Sequence, residues 1–309
     1  MISKIIAVVG PTASGKTALA VELAKQLDGE IISCDSVQVY KGLDIGSAKV
    51  TVEEMQGVEH HLIDITEPTS DFSCADYADA AKKAIDDIRS RGKQVIFCGG
   101  TGLYLDSVIG ISGFSEAGKD DDFRAEMEKK TPEELHKKLT EIDPVSAAAI
   151  HPNNVKRVIR ALEIFHVTGK IKSAWDEESK QIKPPYEAVI IGLDFRDRQT
   201  LYDRIDSRVD IMLTQGLEAE VRALDCAAFR ASTASDGIGY KEMLRYFDGL
   251  CSYSEAVEAI KQASRNYAKR QLTWFRRNKS ISWIYLDELL GSDKFKLIVN
   301  SAINIINNK

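Results

Sequence analysis

Ile5-Ile6-Ala7-Val8-Val9-Gly10-Pro11-Thr12-Ala13-Ser14-Gly15-Lys16-Thr17 decides the fold class. Five apolar residues in a row have the length of a buried strand, a glycine-rich turn follows, and a helix is predicted through Lys25. The turn fits G-x-x-x-x-G-K-[ST] in the strand–turn–helix context that gives this pattern its meaning. Glycines let the backbone wrap closely, so several N–H groups face one phosphate, and the helix N-terminus adds a positive partial charge. Gly10, Pro11, Thr12, Ala13, Ser14, Gly15, Lys16 and Thr17 are therefore expected to hold phosphates. Lys16 would place a full charge on them, and the Thr17 hydroxyl would bind Mg²⁺.

Outward from this loop, Glu30-Ile31-Ile32-Ser33 reads as a second strand, 76–91 as a helix and 94–98 as a further strand. The alternation predicts a P-loop α/β core with a doubly wound, mostly parallel sheet. From about 113 to 187 the character changes. Thr131-Pro132-Glu133-Glu134, Asp143-Pro144 and His151-Pro152-Asn153 each resemble a helix start, and Val155, Val158, Leu162 and Phe165 make a helical apolar stripe. This stretch reads as a helical insertion domain. Strand character returns at 188–195, so 1–112 and 188–309 together are expected to form the core. Residues after Asp287 carry no recognisable chemistry.

Composition narrows the class. The chain has 309 residues, 44% hydrophobic and 28% charged, which suits a globular protein with a sizeable core. No segment approaches the roughly 20 apolar residues of a membrane span, and no cleavage-site pattern follows the first apolar run. Five scattered cysteines without a C-x-x-C pair argue against a disulfide framework and a zinc site, and point to a reducing cytoplasm. A net charge of −6 taken alone argues against a nucleic-acid partner, but binding depends on where positive residues cluster.

The loop does not say which bond breaks. A nucleoside triphosphatase would show an apolar strand ending in Asp to hold the metal's shell, and the 94–97 strand instead runs into Cys98-Gly99-Gly100-Thr101. Asp35 lies just beyond the second strand, where ligands of open α/β sheets bind, and could act as base or metal ligand, or simply form a turn. Small-molecule kinases place an Asp similarly, so a P-loop kinase remains an alternative, and a non-enzymatic RNA-binding module a more distant one. In a helix predicted over 200–217, Arg208 falls at the edge of the Leu201, Ile205, Val209 and Met212 stripe. It would either pair with Asp206 or Glu163 or clamp a diphosphate. Segment 261–279 holds seven basic residues and no acidic one, with Tyr267, Trp274 and Phe275 interleaved. It suits a phosphate backbone, although Ala268, Leu272 and Phe275 can form a core stripe. Lys156, Arg157 and Arg160 make a second basic face. Adjacent His60 and His61 would point oppositely on a strand, against a shared metal.

Beyond the P-loop, Asp35-Ser36-Val37-Gln38-Val39-Tyr40, His60-His61-Leu62-Ile63-Asp64, Gly99-Gly100-Thr101-Gly102-Leu103-Tyr104, Ile238-Gly239-Tyr240-Lys241-Glu242 and Ala268-Lys269-Arg270-Gln271-Leu272-Thr273-Trp274 follow in order. With these the chain, to about Trp283, resembles the bacterial tRNA dimethylallyltransferases. The resemblance implies transfer of a dimethylallyl group from dimethylallyl diphosphate, with Mg²⁺, to N6 of the adenosine 3′ of the anticodon in tRNAs reading codons that begin with U. It implies that Asp35 accepts the amine proton, and that Lys16, Thr101 and Arg208 assist around the diphosphate and the base. It further implies tRNA contacts at Asp35, Ser36, Val37, Gln38, Thr101, Arg124, Lys156, Arg157, Val158, Ile159, Arg160, Asp236, Gly237, Ile238, Gly239, Tyr240 and Lys241. Eukaryotic relatives append a C2H2 zinc finger that is not seen here, so no zinc is expected. Ser235-Asp236-Gly237 is unusual for its loop. A monomer is the expected state.

Overall fold

The computed structural model describes residues 4–110, 118–179, 184–289 and 293–309. One sheet holds β1 (Ile5–Val9), β2 (Gly29–Cys34), β3 (His60–His61), β4 (Gln94–Gly99), β5 (Ala188–Asp194) and β6 (Ser282–Tyr285). The order is β3-β2-β4-β1-β5-β6 and every pairing is parallel. Such a sheet is covered on both faces, which is why β1 is apolar throughout and all five of its residues are buried. The Lys16–Gln26 helix buries Leu19, Ala20, Val21, Leu23 and Ala24 in the same core as Ile6, Val8, Ile96 and Ile191. Val299 and Ala302 of the Lys294–Asn308 helix join that core, so the chain's last segment has a packing role.

The topology also says where a ligand goes. From β1 the chain moves toward β2, whereas from β4 it moves toward β5, on the other side of β1. The order therefore reverses between the neighbours β4 and β1, and a crevice opens beyond their carboxyl ends. Loop 10–17 follows β1, and Gly99-Gly100-Thr101 follows β4.

Two compact units result, Met1–Val108 with Tyr186–Lys309, and Ile109–Pro185. The boundary expected at 112/113 lies outside the described residues. In the smaller unit the Thr131 and Asp143 caps form as anticipated, Thr131 with a reciprocal bond from Glu134. His151-Pro152-Asn153 is instead a turn, and the helix begins at Val155 (Val155–Thr168). Leu135, Leu139, Val158, Ile159 and Leu162 make this unit's core.

Glu163 lies fully buried in that unit, held by Arg124 Nε and Nη2 at 2.7 and 2.8 Å, by Arg160, and by the Asp120 N–H at 2.9 Å. Burial alone would push its carboxyl up. The hydrogen bonds from Arg124, Asp120 and Arg160 outweigh that and hold it at about 2, against an ordinary 4.5. A carboxyl depressed on folding stabilises above its unfolded value and loses the contribution as pH falls from about 4.5 toward 2. Glu163→Gln is therefore expected to destabilise this unit by about 3 kcal/mol at pH 7 and by far less near pH 2, read by hydrogen exchange of 118–179 amides. Equal effects at both pH values would show that the ion network is not what holds the unit.

Candidate active site

Loop 10–17 is wound around the Pro11 carbonyl, which accepts the Ser14 hydroxyl at 2.8 Å and the Lys16 ammonium at 2.7 Å. Ala13 and Gly15 both take positive φ, 61° and 79°, which turns the loop sharply into the helix. A Cβ on Gly10 would sit 2.5 Å from the Leu193 carbonyl oxygen of β5, so only glycine fits there. Gly10, Pro11 and Ser14 are buried and shape the loop. Thr12, Ala13, Gly15, Lys16 and Thr17 line a cavity of about 1000 Å³. Enclosure there lowers the Lys16 pKa to about 8. Arg208 adds to the lowering, and Cys98 and Asp35 oppose it. A lysine so placed gains most from an anionic ligand.

Asp35, Ser36, Val37 and Gln38 form the next stretch of wall, just past β2. Asp35 Oδ1 accepts the Val37 N–H at 2.9 Å and the Gln38 N–H at 3.4 Å. The carboxylate is thus a turn former and a cavity group at once, because the turn uses only one of its oxygens. The Ser36 N–H donates to Thr101 Oγ1 at 3.1 Å, which ties the end of β4 to the end of β2. Tyr267 lines the same cavity, and its phenol is pushed up to about 12 by burial and by Asp35. Gly99 packs so closely on β2 that a Cβ would meet the Cys34 carbonyl oxygen at 2.1 Å.

Across the cavity, Arg208 projects from the Arg198–Gln215 helix. Neither expected ion-pair partner takes it, since Asp206 binds Arg265 at 2.6 Å and Glu163 binds Arg124 and Arg160. Its Nη2 instead donates to the Ala48 carbonyl, at a long 3.5 Å. Burial lowers its pKa while the Asp35 charge opposes the shift. A guanidinium without a strong partner, facing the same space as Lys16, is suited to an anion.

Lys16, Arg208 and Asp35 thus share one cavity beside loop 10–17. Residues 38–278 match the family model described as IPP transferase. The chain belongs to that family. The transferase is 48% identical to a tRNA dimethylallyltransferase of Anoxybacillus flavithermus over 99% of this chain and 97% of the relative. It is 51% identical to that of Bacillus subtilis over 90% of each. Among solved structures, a tRNA isopentenylpyrophosphate transferase of Bacillus halodurans is similar with a TM-score of 0.73 and 46% identity, over 99% of this chain and 97% of that one. A eukaryotic dimethylallyltransferase acting on tRNA reaches 0.83 at 27% identity, over 99% and 80%.

Several expectations are corrected. Val158 and Ile159 of the transferase are 0% and 4% exposed, so their side chains serve the small unit's core rather than a tRNA surface. Tyr240 is fully buried, donates to Glu220 at 2.7 Å and packs on Gly46, while Asp236, Gly237, Ile238, Gly239 and Lys241 do line the cavity. Glu220 also accepts the N–H groups of Asp44, Ile45 and Gly46 at 3.0, 2.7 and 3.0 Å, and so fixes another part of the wall. Three of the seven basic residues of 261–279 are paired with acids: Lys261 with Asp210, Arg265 with Asp206, and Arg276 with Asp194. An apolar strand ending in Asp does exist beside β1, but β5's Asp194 is fully buried between Arg198 and Arg276. Arg124 and Arg160 hold Glu163, and Lys156 and Arg157 are exposed.

Sequence reasoning missed Arg204, and it gave Tyr267, Arg270 and Gln271 only as members of a basic segment or a motif. Arg204 Nε donates to the Ala13 carbonyl at 3.0 Å, one helical turn from Arg208, and that i,i+4 spacing was the available signal. As for metals, Thr17 and Asp35 offer hard oxygen donors in the cavity, which fit Mg²⁺. Among the described residues, Glu30, Glu59 and His61 are the group close enough to ligate an ion. Arg91, Lys93 and His61 already hold Glu30, and they keep its carboxyl at about 2. Among the described residues no helix is long and apolar enough to cross a membrane.

Proposed function

We propose that this transferase moves a dimethylallyl group from dimethylallyl diphosphate to N6 of the adenosine 3′ of the anticodon, in tRNAs reading codons that begin with U. The carrying observation is the joint presence in one cavity of Lys16, Arg208 and the phosphate loop with the carboxylate of Asp35. An anion holder facing a base is what alkyl transfer to nitrogen needs. A triphosphatase would want a free strand-end carboxylate, and Asp194 is spent on two arginines.

The amine lone pair attacks the allylic carbon, the carbon–oxygen bond to diphosphate breaks, and the nitrogen becomes cationic and acidic. Asp35 takes its proton, and an ordinary carboxylate suffices for so acidic a group. Lys16, Arg208 and the loop N–H groups stabilise negative charge as it grows on the leaving diphosphate. Thr17 would hold Mg²⁺, which when bound adds Lewis-acid neutralisation of the diphosphate. The base must leave the anticodon stack to reach Asp35, as in other enzymes acting on buried base atoms. Ser36, Val37, Gln38, Asp236, Gly237, Ile238, Gly239 and Lys241 would meet the extruded nucleotide, and Lys156 and Arg157 the tRNA backbone. The five cysteines are free, in keeping with a reducing cytoplasm.

The deciding assay incubates the protein with dimethylallyl diphosphate, Mg²⁺ and unmodified tRNA and measures nucleoside masses. Adenosine heavier by one dimethylallyl group, with diphosphate released, is the expected product. An unaltered tRNA would sink the reading.

A further inference from the structure

We propose that Gln271 is a positioning residue for this transfer, a brace that sets the diphosphate loop against the turn carrying Thr101. The proposal rests on the transferase reading above. Gln271 is 5% exposed on the Tyr253–Phe275 helix. Its Oε1 accepts the Thr12 N–H at 2.9 Å, and its Nε2 donates to the Gly100 carbonyl at 3.0 Å. A carboxamide carries an acceptor and a donor side by side, so one side chain satisfies both backbone groups.

Those groups belong to opposite halves of the reaction. Thr12 lies in the loop that holds the donor's diphosphate. Gly100 precedes Thr101, whose hydroxyl accepts the Ser36 N–H beside Asp35, the proton acceptor. The fit is tight, since a Cβ on Gly100 would come within 1.9 Å of Gln271 Nε2. The same helix face presses on the turn at a further point, where Trp274 covers Gly102 and its Nε1 donates to Asp106 at 2.8 Å. Positions 271 and 274 stand at i and i+3, one face of one helix.

Donor affinity has its own sources in Lys16, Arg208 and the other loop N–H groups. Rate depends on aligning carbon and nitrogen, and a misplacement of about 1 Å can cost about 10²-fold. Loss of the brace should therefore lower kcat and leave donor binding nearly intact.

The test compares Gln271→Ala, Gly100→Ala, the double variant and Gln271→Glu. Transfer kinetics are paired with calorimetric binding of dimethylallyl diphosphate, which needs no turnover. Gln271→Ala is expected to lower kcat about 30- to 100-fold with donor Kd within about threefold. Gly100→Ala displaces the same amide and should give the same split, and the double variant should be no slower than the slower single one. Gln271→Glu keeps the acceptor for Thr12 and loses the donor to Gly100, so it should fall between. Effects that multiply in the double variant, or a loss confined to donor Kd, overturn the brace. Should Gln271→Ala not fold, kcat within about threefold of wild type for both Gly100→Ala and Gln271→Glu does the same. A wild-type protein that transfers nothing fails the function, whereas the brace fails only where wild type transfers and the variants match it.

Discussion

Asp35→Asn is expected to slow dimethylallyl transfer about 10²- to 10³-fold while tRNA affinity stays within about threefold. Asparagine keeps the shape and the oxygen that accepts the Val37 and Gln38 N–H groups, so the turn past β2 should survive. What disappears is the proton acceptor and the negative charge beside Lys16 and Arg208. Single-turnover transfer of labelled donor measures the first effect, and filter binding of unmodified tRNA the second. A transfer rate within a few-fold of wild type would remove Asp35 as the base. A large loss of tRNA affinity would instead make it mainly a docking group.

Lys16→Met is expected to lower kcat by about 10²-fold and to remove a pH dependence of donor binding. In the empty cavity Lys16 titrates at about 8 because enclosure disfavours its charge. Below that pH the ammonium is ready for the diphosphate. Above it the neutral amine must take up a proton on binding, so the donor Kd should rise by up to about tenfold per pH unit between 8 and 9.5. Titration calorimetry with dimethylallyl diphosphate at constant Mg²⁺ and ionic strength reads this directly. A Kd that is flat across that range in wild type would show that Lys16 stays charged in the empty site. A slope that persists in Lys16→Met would assign it to another group.

The same residues show how far local pattern carries. The 5–17 stretch was legible because a P-loop is made by consecutive residues, whose apolar run, glycines and lysine act through local backbone geometry. Asp35 was legible for a related reason, since it lies one residue past a strand whose end must face the ligand. Arg208 could be placed at the edge of its stripe, but its partner could not be named. Whether it met Asp206 or an anion depended on Arg265, which reaches Asp206 from another helix. The family resemblance puts Tyr240 in a tRNA-contacting loop, and only the packed structure turns its ring inward onto Gly46 and its hydroxyl to Glu220.

By itself, then, the sequence determined a phosphate-loop pattern after β1, a parallel α/β core interrupted by helices, and a carboxylate one residue past β2. Each follows from short-range periodicity, turn chemistry and capping, which act over a few residues. The tertiary structure alone decided which charges are left for a ligand. Asp194, Asp206, Asp210 and Glu163 neutralise arginines and lysines far along the chain, while Lys16, Arg208 and Asp35 face one cavity. Charge pairing depends on distance in space, and the spacing of residues along the chain does not encode it.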